Sequence, residues 1–271
     1  MIWPFRKRQP GRGPSRTSQA VALTRAEFAR PHSPGGDPDA QRRLCGGMRP
    51  ADIGSQRASL AARTRFFDDQ VLAAVSAGIA QIVIVGAGYD DRALRFRSAG
   101  VGFFELDHSG TQADKAARLR ALGAGPDSGG PTLAAADFRA DDVAAVLAAC
   151  GHDAARPSLF ICEGLLVYLD QPTCLRLLGA LRERAAPGSR LAASLSVHRY
   201  GLDSERVAAI ANARRRSAAA EPWLTILPAA AHLDLLRRAG WRPADQVDAA
   251  DLGTGAEPGR SLLVTADPRP A

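Results

Sequence analysis

The apolar residues of the chain fall into two alternating patterns. Short runs of β-branched and other apolar residues, bounded by glycine, proline or aspartate, are typical of buried strands. Such runs predict strands at residues 82–85, 101–106, 132–136, 158–162, 190–197, 241–247 and 261–265. Segments with helical spacing lie between them, at residues 89–97, 109–122, 141–150, 172–185 and 231–239. This alternation predicts an α/β protein with a doubly wound, mostly parallel sheet.

The composition changes along the chain and suggests its division into parts. Residues 1–17 are rich in proline, glycine and arginine, so we expect a disordered basic tail there. Residues 18–78 are predicted to be mainly helical and to form an N-terminal cap. The α/β domain is then expected over residues 79–271, and a polar helical insertion at 198–230 could cover a site within it.

A glycine turn follows the first predicted strand directly. Gly86, Ala87 and Gly88 stand there, and glycines in such a turn let a ligand approach the main chain closely. The second strand ends in Asp107, about 20 residues later, where a nucleotide-binding β-α-β unit has the carboxylate that holds ribose hydroxyls. The glycines could also serve only as a tight turn between a strand and a helix.

The turn lacks the third glycine of the dinucleotide-binding fingerprint. Asp91 stands at that position, where a glycine would let the helix pack closely above a pyrophosphate. This absence favours a nucleoside ligand without phosphates, of which S-adenosylmethionine (SAM) is the common example. An NAD-dependent oxidoreductase that uses the same glycines and Asp107 is the alternative enzyme class.

Candidate ligand-binding residues follow four successive predicted strands. These residues are Gly86 to Gly88, Asp107, Asp137 and Glu163. Because ligands of doubly wound sheets bind at the carboxyl ends of the strands, we expect these residues to surround one site. Two alternatives stay open, since Asp137 could cap a helix and Glu163 could be a buried structural acid.

The charge pattern argues against a polyanionic partner. The net charge is +7 and the pI is about 9.9, but the positive charge is mostly arginine scattered along the chain. The short basic clusters at 6–8 and 214–216 have no interleaved aromatic residues for base stacking, so no nucleic-acid partner is expected. No stretch has the roughly 18 apolar residues of a transmembrane helix, so no membrane partner is expected either.

The four cysteines are widely spaced and form no paired motif, so neither a metal site nor a disulfide framework is expected. Sparse thiols fit a reducing compartment, and the first residues contain no apolar signal segment. The sequence therefore predicts a cytoplasmic protein, and it leaves the oligomeric state open.

Four motifs in order along the chain resemble a known family. They are ARTRFFDD at 62–69, VIVGAGYDDRALRF at 83–96, FFELDH at 103–108 and CEGLLVYL at 162–169. Together they resemble the leucine carboxyl methyltransferase family, in particular its bacterial branch of SAM-dependent O-methyltransferases. The stretch at 15–31 is similar to the same branch. The resemblance implies a class I SAM-dependent methyltransferase fold, which is Rossmann-like, with SAM as the cofactor.

The resemblance also implies which residues bind the cofactor. They are Arg63, Gly86, Ala87, Gly88, Asp107, Asp137, Phe138 and Glu163. Arg63, or as second choice Arg65, would bind the SAM carboxylate, and the glycine turn would lie beneath the methionine portion. Asp107 would accept hydrogen bonds from the ribose. Asp137 and Phe138 would contact the adenine, and Glu163 would lie beside the amino group. Arg65 could instead pair with Asp69, four residues further along the same helix.

The resemblance implies methyl transfer to an oxygen of a small molecule or natural-product intermediate, most simply a carboxylate. A carboxylate is ionised at neutral pH and needs no general base, whereas a hydroxyl would need one. His198 is the best candidate for that base, and Tyr168 is a weaker candidate for a catalytic contact. A surface histidine is the commoner role for a residue such as His198, and core packing is the commoner role for one such as Tyr168. The chain could also be a SAM-binding module without catalysis.

Overall fold

The structure is a computed structural model that describes residues 13–49, 56–198 and 221–270. Most of the predicted tail at 1–17 and of the predicted insertion at 198–230 therefore lies outside the described residues. The first helix begins within the range predicted as tail, at Arg16.

In the part of the chain that the structure describes, three helices precede the sheet. They are α1 (Arg16–Arg25), α2 (Ala40–Leu44) and α3 (Arg57–Ser76). Ser15 caps α1, because its side-chain oxygen accepts a backbone N–H of the first turn. The chain reverses after α3 at Gly78, whose φ of 79° favours glycine.

A seven-stranded sheet forms the centre of the protein. Its strands are β1 (Gln81–Val85), β2 (Gly102–Asp107), β3 (Thr132–Ala135), β4 (Ser158–Cys162), β5 (Arg190–Ser196), β6 (Trp241–Asp248) and β7 (Ser261–Pro268). Their order is β3-β2-β1-β4-β5-β7-β6. Strands β1 to β5 run parallel, and β7 lies antiparallel between β5 and β6. The predicted doubly wound, mostly parallel sheet is thus confirmed.

The remaining α-helices of the described ranges are α4 (Arg92–Arg95), α5 (Ser109–Ala121), α6 (Val143–Ala149), α7 (Gln171–Glu183) and α8 (Ala229–Arg238). A helix was predicted over 89–97, but α4 has only four residues. The side chain of Asp90 accepts the N–H of Arg92 at 2.8 Å and holds the preceding residues in a turn. Ser109 was predicted as the cap of α5, but the cap is His108, whose Nδ1 accepts the N–H of Gly110 at 3.4 Å.

Helices cover both faces of the sheet. Ile82 and Ile84 of β1 point to the face covered by α3, while Val83 and Val85 point to the face covered by α6, α7 and α8. The segment predicted as an N-terminal cap therefore also supplies one helical layer of the α/β core. No helix in the described parts of the chain is long and apolar enough to cross a membrane.

Candidate functional site

The turn after β1 requires glycine at two positions. Gly86 and Gly88 have φ of 69° and 52°, in the left-handed region that favours glycine. A Cβ on Gly86 would lie 2.9 Å from Cδ1 of Leu165, and a Cβ on Gly88 would lie 2.8 Å from Cβ of Ser18. The turn therefore lies between the chain after β4 and the start of α1.

Asp107 lies directly beside this turn. Its Oδ2 accepts the N–H of Gly88 at 2.6 Å, and its Oδ1 accepts the N–H of His108 at 2.6 Å. The N–H of Ala87 donates to the carbonyl of Leu106 at 3.1 Å and holds the turn against β2. Burial raises the pKa of Asp107, and the two backbone donors oppose that rise. Each carboxylate oxygen keeps acceptor capacity for a further donor.

Asp137 follows β3 at the same edge of the sheet and is exposed. The chain after β3 donates a backbone N–H to the carbonyl of Asp107 at 2.9 Å, so the two strand ends are adjacent. Oδ1 of Asp137 accepts the N–H of Arg139 at 3.0 Å. This bond closes a turn, and α6 has a different cap, Asp142. Phe138 is half-buried and packs against the apolar core.

Glu163 follows β4, and its buried carboxylate contacts three arginines. Oε1 accepts Nη2 of Arg25 at 2.7 Å and Nε of Arg63 at 3.1 Å, and Oε2 accepts Nη1 of Arg92 at 2.7 Å. The guanidinium of Arg63 lies against Gly164, where a Cβ would be 3.3 Å from Cζ. Burial opposes the ionisation of Glu163, but the three guanidiniums outweigh it and hold its pKa well below the ordinary value.

These contacts belong to a larger cluster, here called the ion-pair network. Its members are Arg25, Arg30, Arg63, Arg92, Arg95, Asp68, Asp90, Asp91 and Glu163. Arg92 is fully buried at its centre and donates to Asp68, Asp90 and Glu163 at 2.6–2.7 Å. The network joins α1, α3, α4 and the chain after β4.

Asp91 explains why the third glycine of the dinucleotide fingerprint is missing. The residue is fully buried and accepts hydrogen bonds from Arg30 at 2.6 Å and from Arg95 at 2.7 Å. Burial opposes its ionisation, but the two arginines lower its pKa to about 2. The carboxylate of Asp91 therefore anchors the segment after α1 to the turn after β1.

Arg25 and Arg92 were not predicted from the sequence as members of the site. The available signal was the pair Asp90-Asp91 directly after the glycine turn, because buried acids need cationic partners. Spacing could not identify those partners, since Arg30 precedes Asp91 by 61 residues.

The remaining candidates lie in different places in the structure. Arg65 is exposed on α3, where it opposes the rise that burial causes in the pKa of Asp69, so only Arg63 of the two arginines reaches Glu163. Tyr168 is half-buried in a 3-10 turn after β4. His198 follows β5, and its N–H donates to the carbonyl of Leu227 at 3.4 Å. In the described ranges, no group of three His, Cys, Asp or Glu side chains could hold a metal ion.

The sheet order brings most of the predicted residues to one edge. Across that edge, Asp137 follows β3, Asp107 is the last residue of β2, the glycine turn follows β1, and Glu163 follows β4. Arg63 reaches the same edge from α3 through its bond to Glu163.

A sequence model of the leucine carboxyl methyltransferase family matches residues 18–182. This chain belongs to that family. The match contains most of α1, all of α2 and α3, β1 to β4 and every predicted cofactor-binding residue, and it confirms the family resemblance of the four motifs.

Related proteins carry a consistent name. A "Putative S-adenosyl-L-methionine-dependent methyltransferase" of Mycolicibacterium gilvum is 36% identical over 187 residues, covering 68% of this chain and 60% of that protein. A protein of the same name from Mycolicibacterium paratuberculosis is 44% identical over 135 residues, covering 49% of this chain and 42% of that protein. This chain thus spans about half the length of the curated relatives that it matches.

Solved structures confirm the fold. A "putative methyltransferase" from Thermobifida fusca has a TM-score of 0.61 at 18% identity, with 95% of this chain and 96% of that chain covered. Magnesium protoporphyrin IX methyltransferase from Synechocystis PCC 6803, with bound S-adenosylhomocysteine (SAH), has a TM-score of 0.54 at 15% identity, with 86% and 94% covered. The class I methyltransferase fold predicted for this family member is therefore confirmed.

Proposed function

We propose that this chain is a SAM-dependent methyltransferase that transfers the methyl group to an oxygen of a small-molecule acceptor. The observation that carries the proposal is the convergence of the glycine turn, Asp107 and the Arg63–Glu163 pair at one edge of the sheet. The family membership and the names of the mycobacterial relatives support the same reaction class.

The groups at this edge fit the polar parts of SAM, which carries a carboxylate, an ammonium, ribose hydroxyls and an adenine amino group. Among the described residues, Arg63 uses only its Nε, so its two Nη groups can donate to a carboxylate. Asp107 has lone pairs left for the ribose hydroxyls, and two backbone donors fix its orientation.

The other predicted residues take roles consistent with their positions. Asp137 would accept the adenine amino group, since only its Oδ1 is engaged among the described residues, and Phe138 would contact the adenine ring. Gly86, Ala87 and Gly88 would lie beneath the methionine portion. Glu163 would lie beside the amino group.

SAM, when bound, supplies a methyl group activated by a positively charged sulfur. The residues of the chain then have to orient the acceptor and exclude water, and proximity alone can supply about 7–11 kcal/mol of the barrier. A carboxylate acceptor needs no proton transfer and is our first choice. For a hydroxyl acceptor, His198 is the proposed base, and Tyr168 is the weaker candidate for a catalytic contact, because both follow strands that end at this edge.

We also propose a cytoplasmic location, because all four cysteines are free thiols and a reducing compartment keeps thiols in that state. No nucleic-acid or membrane partner is proposed.

Isothermal titration calorimetry with SAH and NADH tests the proposed cofactor. The wild type should bind SAH and not NADH, and Asp107→Asn should weaken SAH binding by about tenfold, because the neutral amide is a poorer acceptor for the ribose. Asp234→Asn is the control, since that carboxylate is exposed on α8, and it should bind SAH as the wild type does.

Binding of NADH without SAH would support the oxidoreductase alternative and contradict the proposal. Release of SAH from SAM in the presence of carboxylic acids or alcohols would identify the acceptor class. Binding of SAM without turnover of any acceptor would favour a binding module without catalysis.

A further inference from the structure

Helix α1 contacts the proposed cofactor site at two places. Ser18, near its start, lies against Gly88, and Arg25, at its end, contacts Glu163. Seven residues make about two helical turns, so both residues lie on one face of α1, roughly 10 Å apart. The helix therefore runs along the site from the glycine turn to Glu163.

Arg25 is held in one orientation by three acceptors. Its Nη2 donates to Oε1 of Glu163 at 2.7 Å, its Nε to Oγ1 of Thr64 at 3.4 Å, and its Nη1 lies 3.6 Å from Oδ2 of Asp90. Its side chain is only 6% exposed. A buried guanidinium with this many fixed partners cannot turn away from Glu163 without leaving charges unpaired.

Arg25 and Arg63 share a single oxygen atom, Oε1 of Glu163. Arg25 is buried, whereas Arg63 is 23% exposed and is the member of the pair that can reach a ligand. The position of Glu163, and through it the direction in which Arg63 presents its Nη groups, therefore depends on Arg25.

We infer that Arg25 is a positioning residue for the amino-acid portion of the cofactor. It holds Glu163 in place and adds positive charge behind Arg63, so that Arg63 is ready to receive a carboxylate. This inference rests on the proposed function, because it assumes an adenosyl ligand with an amino-acid tail at this edge. It assigns no contact between Arg25 and the ligand itself.

A purely structural role for Arg25 is the competing explanation, and the ion-pair network offers a matched control. Arg30 is equally buried and donates to Asp68 and Asp91, but it does not contact Glu163. If the network only stabilises the fold, substitutions of Arg25 and Arg30 should have the same effects.

The test compares SAH with 5′-methylthioadenosine, which shares the adenosyl group but lacks the amino acid. Calorimetry on folded Arg25→Met should show SAH binding weakened by about tenfold, with 5′-methylthioadenosine binding unchanged. Arg30→Met should lower the midpoint of thermal unfolding and leave the ratio of the two affinities unchanged. The SAH affinity of Arg25→Lys should lie between those of the wild type and Arg25→Met, because lysine keeps the charge and loses the planar donor geometry.

An equal loss of affinity for SAH and for 5′-methylthioadenosine in Arg25→Met would overturn the inference. The same change in the ratio of the two affinities in Arg30→Met would overturn it as well. If Arg25→Met does not fold, Arg25→Lys is measured alone, and an unchanged affinity ratio there would also overturn it. A wild type that binds neither adenosyl ligand would instead refute the proposed function, so the two failures can be distinguished.

Discussion

Replacement of Glu163 by glutamine perturbs the carboxylate that α1, α3 and α4 all contact. The contacts are made by Arg25, Arg63 and Arg92. The amide keeps the shape of the side chain but turns one acceptor into a donor that faces a guanidinium. The positive charges of the network would then outnumber its negative charges by a larger margin. This part of the fold should therefore be destabilised.

The expected loss is large because the contact is buried. The side chain of Glu163 is 4% exposed, that of Arg25 is 6% exposed, and that of Arg92 is 0% exposed. Removal of one partner from a buried ion pair costs about 3–5 kcal/mol, which is a large part of the roughly 5–15 kcal/mol that stabilises a typical domain.

The pH dependence has a definite sign. The pKa of Glu163 is lower in the folded protein than its ordinary value of 4.5, so its ionised form stabilises the fold. This stabilisation is complete above the unfolded-state value and is lost as the pH falls through the folded-state pKa. The stability difference between the wild type and Glu163→Gln should therefore be full at neutral pH and should shrink below pH 4.5.

Urea unfolding followed by circular dichroism measures both effects. Glu27→Gln is the control, because Glu27 accepts a hydrogen bond from Arg57 at 2.5 Å while the two side chains are 60% and 51% exposed. An exposed pair contributes at most about 1 kcal/mol. If Glu163→Gln loses no more stability than Glu27→Gln, the ion-pair network does not hold these helices as described.

Other substitutions test other parts of the site. Gly88→Ala should lower the free energy of unfolding by about 1–3 kcal/mol, because alanine would have to adopt the positive φ of this position and its Cβ would meet Ser18; urea unfolding equal to that of the wild type would contradict this. Tyr89→Phe removes the 2.6 Å bond to Asp114 and should cost about 1–2 kcal/mol in the same assay, and a stabilised variant would be inconsistent with that bond. His198→Ala should slow methyl transfer to a hydroxyl by about 10²–10⁴-fold and leave transfer to a carboxylate unchanged, as SAH release would measure; equal rates with a hydroxyl acceptor would exclude His198 as the base.

The strands were predictable because the apolar pattern that marks each strand is formed by the residues of that strand. β1 and β4 are buried along their whole lengths, so continuous apolar runs mark them. The glycine turn and the acids at the ends of β2, β3 and β4 can likewise be recognised from the local sequence. The helix predicted over 89–97 was wrong over most of its length because Asp90 and Asp91 form ion pairs with the distant residues Arg25 and Arg30, which no local pattern shows.

The ion-pair network could not be predicted from spacing. Arg25 and Glu163 are 138 residues apart in the sequence, and arginines in a helix are normally solvated. Only the folded chain shows that Arg25 and Arg92 turn inwards, where they decide how Glu163 and Arg63 face the edge of the sheet. The family resemblance identified Arg63 and Glu163 as site residues, but it did not identify the residues that hold them in place.

An experimental structure of the complex with SAH would show whether four neighbouring strand ends form one adenosyl-binding site. We predict that the ribose hydroxyls lie within hydrogen-bonding distance of Asp107 and that the amino-acid carboxylate contacts Arg63. An adenosyl group bound away from the glycine turn, with Asp107 and Arg63 both free of the ligand, would contradict the account.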